Sequence, residues 1–114
     1  MPLTIVCPSL ISLPGARAFA LDVASPASTK AFMIAREFAH IHPPDDGSLH
    51  MVVPPERVKE ILTSGWGEPH PVALAGLIPI NTVMIYGPRD EAELEVAWTL
   101  LQMSHQYALT CAIG

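Results

Sequence analysis

Residues 36–50 read Arg36-Glu37-Phe38-Ala39-His40-Ile41-His42-Pro43-Pro44-Asp45-Asp46-Gly47-Ser48-Leu49-His50, and how they pair decides the fold. Phe32 to His42 carries apolar side chains at close spacing with neither Gly nor Pro. Pro43-Pro44-Asp45-Asp46-Gly47 then breaks the run, and Ser48 to Val53 resumes it. That pattern predicts strand, turn, strand. A turn that pairs His42 with Ser48 sets His40 opposite His50 and Phe38 opposite Val52. Side chains alternate along a strand, so Arg36, Phe38, His40 and His42 are expected to share one face with His50. A slip of one residue would send His50 to the other face.

The chain around this hairpin has 114 residues, half of them hydrophobic and 15% charged. Residues 1–114 are therefore read as a single domain with one core. The net charge of -5 offers nucleic acid no basic stripe, which sets DNA and RNA aside as partners. No apolar run approaches the roughly 18–20 residues of a membrane span. Leu3 to Leu13 is apolar but lacks a basic start and contains Pro8, so no signal peptide is expected. Cys7 and Cys111 make no metal or redox spacing, and a reduced, cytoplasmic chain is the simpler reading.

In chain order, Leu3 to Val6 reads as a short strand and Ala16 to Val23 as a second, after the Pro14-Gly15 turn signal. Ala24 to Lys30 reads as a surface loop. After the hairpin, Pro54-Pro55 opens a short helix with Val58, Ile61 and Leu62 on one side and Gly65 as its stop. Gly65-Trp66-Gly67-Glu68-Pro69-His70-Pro71 is too rich in Gly and Pro for a central strand and reads as a shaped loop. Asn81 to Tyr86 reads as a strand. Asp90 then caps a long final helix, with Glu93 as its capping-box partner. Leu94, Ala97, Trp98, Leu101 and His105 mark its expected buried face. The sum is α+β: an antiparallel sheet with two helices packed on one face.

Four ordered blocks carry a resemblance: R-E-F-A-H-I-H from Arg36, S-L-H to His50, G-W-G-E-P-H-P from Gly65, and Y-G-P-R-D-E-A-E from Tyr86. Together they resemble the domain of the fungal luciferases and its short bacterial relatives, over about Arg36 to Tyr107. The resemblance implies an oxygen-dependent enzyme acting on a hydroxypyrone such as 3-hydroxyhispidin: oxygen adds to the ring, carbon dioxide leaves, and the excited product emits light. It carries over Arg36, Glu37, His40, His42, His50, Trp66, His70, Tyr86 and Arg89. It also implies molecular oxygen as co-substrate and no organic cofactor. The fungal members have an N-terminal membrane-anchoring region that these residues do not show, and no membrane partner is expected. Glu68-Pro69 stands where they have a more basic pair, and Asp90 where they have Asn.

Within that frame His40, His42, His50, His70 and Arg36 are the expected catalytic residues, and Trp66, Tyr86, Arg89 and Glu37 the expected substrate contacts. Two chemistries fit the histidines. They could ligate a metal at His40, His42, His50 and His70, since His-x-His places two imidazoles on one strand face. Alternatively a neutral histidine removes the proton of an acidic hydroxyl while Arg36 or a protonated neighbour stabilises the anion. The metal-free route is preferred here because the resembled luciferase is usually described without a cofactor. A non-catalytic small-molecule or metal-binding module stays open, as does a homodimer. Plainer readings stand beside these: a cross-strand histidine pair at His40 and His50, a core histidine at His105, and packing roles for Trp66 and Trp98. Arg89 could simply bridge to a neighbouring acid.

Overall fold

The computed structural model describes residues 4–9, 15–22, 30–33, 36–42 and 47–113. In these, strands β1 (Thr4–Pro8), β2 (Arg17–Leu21), β3 (Glu37–Ile41) and β4 (Leu49–Val52) come first. A 3-10 turn at Pro55–Arg57 leads into α1 (Val58–Thr63). Strand β5 (Gly67–Pro69), a single helical turn α2 (Pro71–Leu74), β6 (Thr82–Ile85) and the long α3 (Glu91–Ile113) complete the chain. All strand pairs are antiparallel, in the order β1-β2-β3-β4-β6-β5.

The hairpin has the expected register. His40 lies opposite His50 and Ile41 opposite Leu49, and the His42 N–H donates to the Ser48 carbonyl at 2.9 Å. Pairing across strands then sorts the sheet into two sides. Phe19, Ala39, Met51 and Val83 form one row of partners and belong to the core, with α1 contributing Ile61 and α3 contributing Ala97, Leu100, Leu101 and Ala108. Ala18, His40, His50, Met84 and Glu68 form the neighbouring row on the other side. Helices α1 and α3 therefore cover one face, and the histidines belong to the opposite one. Ser104 ties α3 to the hairpin by donating its hydroxyl to the Val52 carbonyl at 2.6 Å.

Phe38 departs from the expected alternation. Ala39 pairs with Phe19 but Glu37 pairs with Ala20, so Phe38 is an extra residue in β3, a bulge. It turns towards the helices, with its ring 5.8 Å from His105 and 6.5 Å from Phe19. Glu37, which strict alternation would put on the helix side, is carried round to the histidine side instead.

Other departures have equally local causes. The Gly65 to Pro71 stretch holds strand β5 and the start of α2. Pro69 is tolerated because β5 is an edge strand, and Gly67 because a Cβ there would lie 2.2 Å from the Met84 carbonyl oxygen. On α3, Leu94 and Trp98 are exposed, at 56% and 48%, and the buried stripe runs instead through Ala97, Leu100, Leu101, Ser104, His105 and Ala108. The cap forms as expected at Asp90, whose carboxylate accepts from the Glu93 N–H at 2.8 Å. Glu93 reaches back one residue further than a capping box requires, to the Arg89 N–H. Most of the Ala24 to Lys30 loop lies outside the described residues. Among the described residues no helix is long and apolar enough to cross a membrane.

Candidate functional site

Four imidazoles meet on the face opposite α1 and α3. His40 and His50 are cross-strand partners and both are buried; His42 and His70 are half-buried and form the rim. Ring centroids are 4.8 Å apart for His40 and His50, 4.1 Å for His42 and His50, and 4.6 Å for His50 and His70. His40 and His42, two apart on one strand, stack parallel at 5.4 Å. One ligating nitrogen from each of His40, His42 and His50 lies within 4.8 Å of the other two.

Hydrogen bonds assign hydrogens to two of these rings. The Val72 N–H donates to His70 Nδ1 at 3.1 Å, so His70 also serves as the N-cap of α2. With Nδ1 accepting, the hydrogen of neutral His70 sits on Nε2, which donates to His50 Nδ1 at 3.0 Å. Burial first, and then the proximity of His40 and His42, lowers the pKa of His70 and favours that neutral form.

His40 is held from the other side of its ring. The Glu37 carboxylate lies 2.8 Å from His40 Nδ1 and itself accepts from the Ser9 hydroxyl at 2.9 Å. Glu37 and His40 are 2% and 3% exposed. A carboxylate accepts, so Nδ1 carries the hydrogen and the lone pair of neutral His40 is on Nε2. That Nε2 is buried and has no hydrogen-bond partner among the described residues. Buried polar atoms rarely stay unpaired, and this one belongs to the histidine cluster.

The remaining expected residues are distributed differently. Trp66, Tyr86 and Arg89 line a cavity of about 370 Å³ with Ile85, Glu93, Val96 and Ala97, and none of the four histidines borders it. Desolvation, and then the charge of Glu68, to which the Tyr86 hydroxyl donates at 3.2 Å, raise the tyrosine's pKa. Arg89 forms an ion pair with Glu93 at 2.8 Å with its side chain 85% exposed. Arg36 is half-buried at the entry to β3, where its carbonyl accepts from the Leu21 N–H. Sequence reasoning passed over Ser9, a residue from the first strand's end that only the folded sheet brings to Glu37. Glu68, the partner of Tyr86, was likewise noted only as a departure.

The profile of the luciferase domain family matches residues 35–104. The chain belongs to the luciferase domain family. It is 38% identical over 74 residues to the luciferases of Armillaria gallica and Armillaria ostoyae, and 36% identical over 74 residues to that of Neonothopanus nambi. Each match covers 63% of this chain and 28% of the relative, so the luciferase domain spans little more than a quarter of the curated proteins it resembles. No solved structure matches it. All four histidines of the cluster fall inside the matched segment.

Proposed function

We propose that this luciferase domain catalyses the oxygen-dependent oxidation of an enolisable, ring-conjugated small molecule of the hydroxypyrone class, with the histidine cluster as general base. The observation that carries the reading is the convergence of four rings, two buried and two at the rim, in a domain of this family. Substrate meets the rim first. A neutral imidazole there, His42 being half-exposed, takes the proton of the acidic hydroxyl. The imidazolium formed at His42 and the hydrogen on Nε2 of His50, whose Nδ1 accepts from His70, hold the resulting anion by hydrogen bonding. The electron-rich enolate is then oxidised by dioxygen, the only oxidant the reaction needs. Both oxygen atoms enter the adduct, and loss of carbon dioxide leaves a carbonyl product. Two half-buried free thiols, Cys7 and Cys111, suit a reducing compartment and support a cytoplasmic site of action.

The test is oxygen uptake by the purified protein with a series of hydroxypyrones, with light emission followed in parallel. His42→Gln and His50→Gln should each lower turnover by about a hundredfold or more while leaving the fold intact. Unchanged turnover in both variants would remove the cluster from the chemistry. Absence of oxygen uptake with every hydroxypyrone would favour a binding module.

A further inference from the structure

We propose that His40, His42 and His50 form a three-histidine site for a divalent first-row transition ion, with Glu37 as the carboxylate that orients His40. The inference concerns the same cluster as the proposed reaction but does not depend on it, since an ion can bind whether or not a hydroxypyrone is turned over.

The first ground is the lone pair on His40 Nε2. It is buried, unpartnered among the described residues, and part of the cluster. The second ground is Glu37. Metal-bound histidines characteristically donate their other N–H to a carboxylate, which fixes the tautomer and makes the ligating nitrogen a better donor. Glu37 stands in that relation to His40 at 2.8 Å, itself held by Ser9, and the bulge at Phe38 is what brings it there.

The third ground is geometry. The three nitrogens lie within 4.8 Å of one another. A tetrahedral ion with bonds of about 2.0–2.1 Å would draw them to roughly 3.4 Å, which requires the rings to rotate and His50 to give the ion the lone pair that its Nδ1 now offers the His70 N–H, or to move its hydrogen from Nε2. Three imidazoles with no thiolate select zinc, iron(II), copper(II) or nickel over magnesium or calcium. Three protein ligands leave a fourth position for a water or an enolate oxygen, the arrangement of catalytic rather than structural ions. An ion in that place would draw charge from a bound hydroxyl by itself, and so replace the free imidazole as the group that makes it acidic.

The experiment titrates metal-stripped full-length protein with Zn²⁺, anaerobic Fe²⁺, Co²⁺ and Mg²⁺, reading stoichiometry by elemental analysis after desalting and Co²⁺ coordination by visible absorption. One equivalent of Zn²⁺, Fe²⁺ or Co²⁺, a tetrahedral or five-coordinate Co²⁺ spectrum, and no retained Mg²⁺ are expected. His40→Ala, His42→Ala and His50→Ala should each abolish stoichiometric binding. Glu37→Gln should weaken it by about 10–100-fold. His42 is half-exposed, so its variant keeps the test open if His40→Ala does not fold. Retained tight binding in His42→Ala, or no binding by the parent, would overturn the site. Oxygen uptake by the metal-stripped protein separates the two readings. Full turnover without an ion, in a parent that binds none, sinks this inference and leaves the base chemistry. One bound ion with no oxygen uptake sinks the reaction and leaves the site.

Discussion

Replacing Glu37 by glutamine keeps the shape of a side chain that is 2% exposed but exchanges an acceptor oxygen for an amide that donates. One carboxylate oxygen, Oε2, accepts from both the Ser9 hydroxyl and His40 Nδ1, so an amide oxygen in its place keeps both bonds and the hydrogen of His40 stays on Nδ1. Two charge-assisted hydrogen bonds become neutral ones, at a cost of about 1–3 kcal/mol in stability. Alanine at the same position is worse. It removes the acceptor of the buried His40 N–H and of one Ser9 hydrogen bond, and leaving a buried donor unsatisfied costs about 1–3 kcal/mol. Urea midpoints of parent, Glu37→Gln and Glu37→Ala should therefore fall in that order. Ring nitrogen shifts should place the His40 hydrogen on Nδ1 in the parent and in the glutamine variant. A parent whose His40 hydrogen sits on Nε2, or an alanine variant within about 1 kcal/mol of the parent, would refute the assignment of Glu37 as the group that orients His40.

Other expectations follow from the packing. Phe38→Ala removes a ring that is fully buried and should cost about 3–5 kcal/mol, whereas Trp98→Ala, at a residue 48% exposed, should cost clearly less in the same urea series. Gly67→Ala places a Cβ 2.2 Å from the Met84 carbonyl oxygen and should cost about 1–3 kcal/mol, with faster amide exchange confined to β5 and β6. Glu93 has its pKa lowered chiefly by the hydrogen bond from the Arg89 side chain, so its contribution is present above the ordinary carboxylate range and lost as pH falls through its own, lower value. The gap in urea midpoint between parent and Glu93→Gln should accordingly be widest near neutral pH and close in acid; a gap that widens in acid would contradict that sign.

The histidine pairing was legible because a turn of fixed length and a period of two leave few registers, and His40 opposite His50 follows from them. The capping of α3 was legible for a similar reason, since Asp90 and Glu93 sit at a spacing with one mechanical meaning. Trp98 was misjudged because its spacing fits the helix period as well as that of its neighbours. A two-sided choice between Trp98 and Leu100 depends on how α3 lies on the sheet, which local pattern does not contain. The bulge was not legible, because an extra residue inside an apolar run leaves no mark in composition. The placement of Glu37 against His40, and of Ser9 against Glu37, was hidden with it. Tyr86, Trp66 and Arg89 share a family pattern with the histidines yet line a cavity that none of the four histidines borders, because nearness in a motif does not fix which surface a side chain lines.

Phe38 makes the length of β3 matter more than most of its letters. A substitution in this strand changes one contact and leaves the rest in place. Deleting Phe38 would remove the bulge and leave Glu37 on the histidine side but two places before His40 instead of three, with the helix side of the strand short of its largest ring. For the same reason, relatives are best compared by whether the acid sits three places before the first histidine, rather than by how many residues they share.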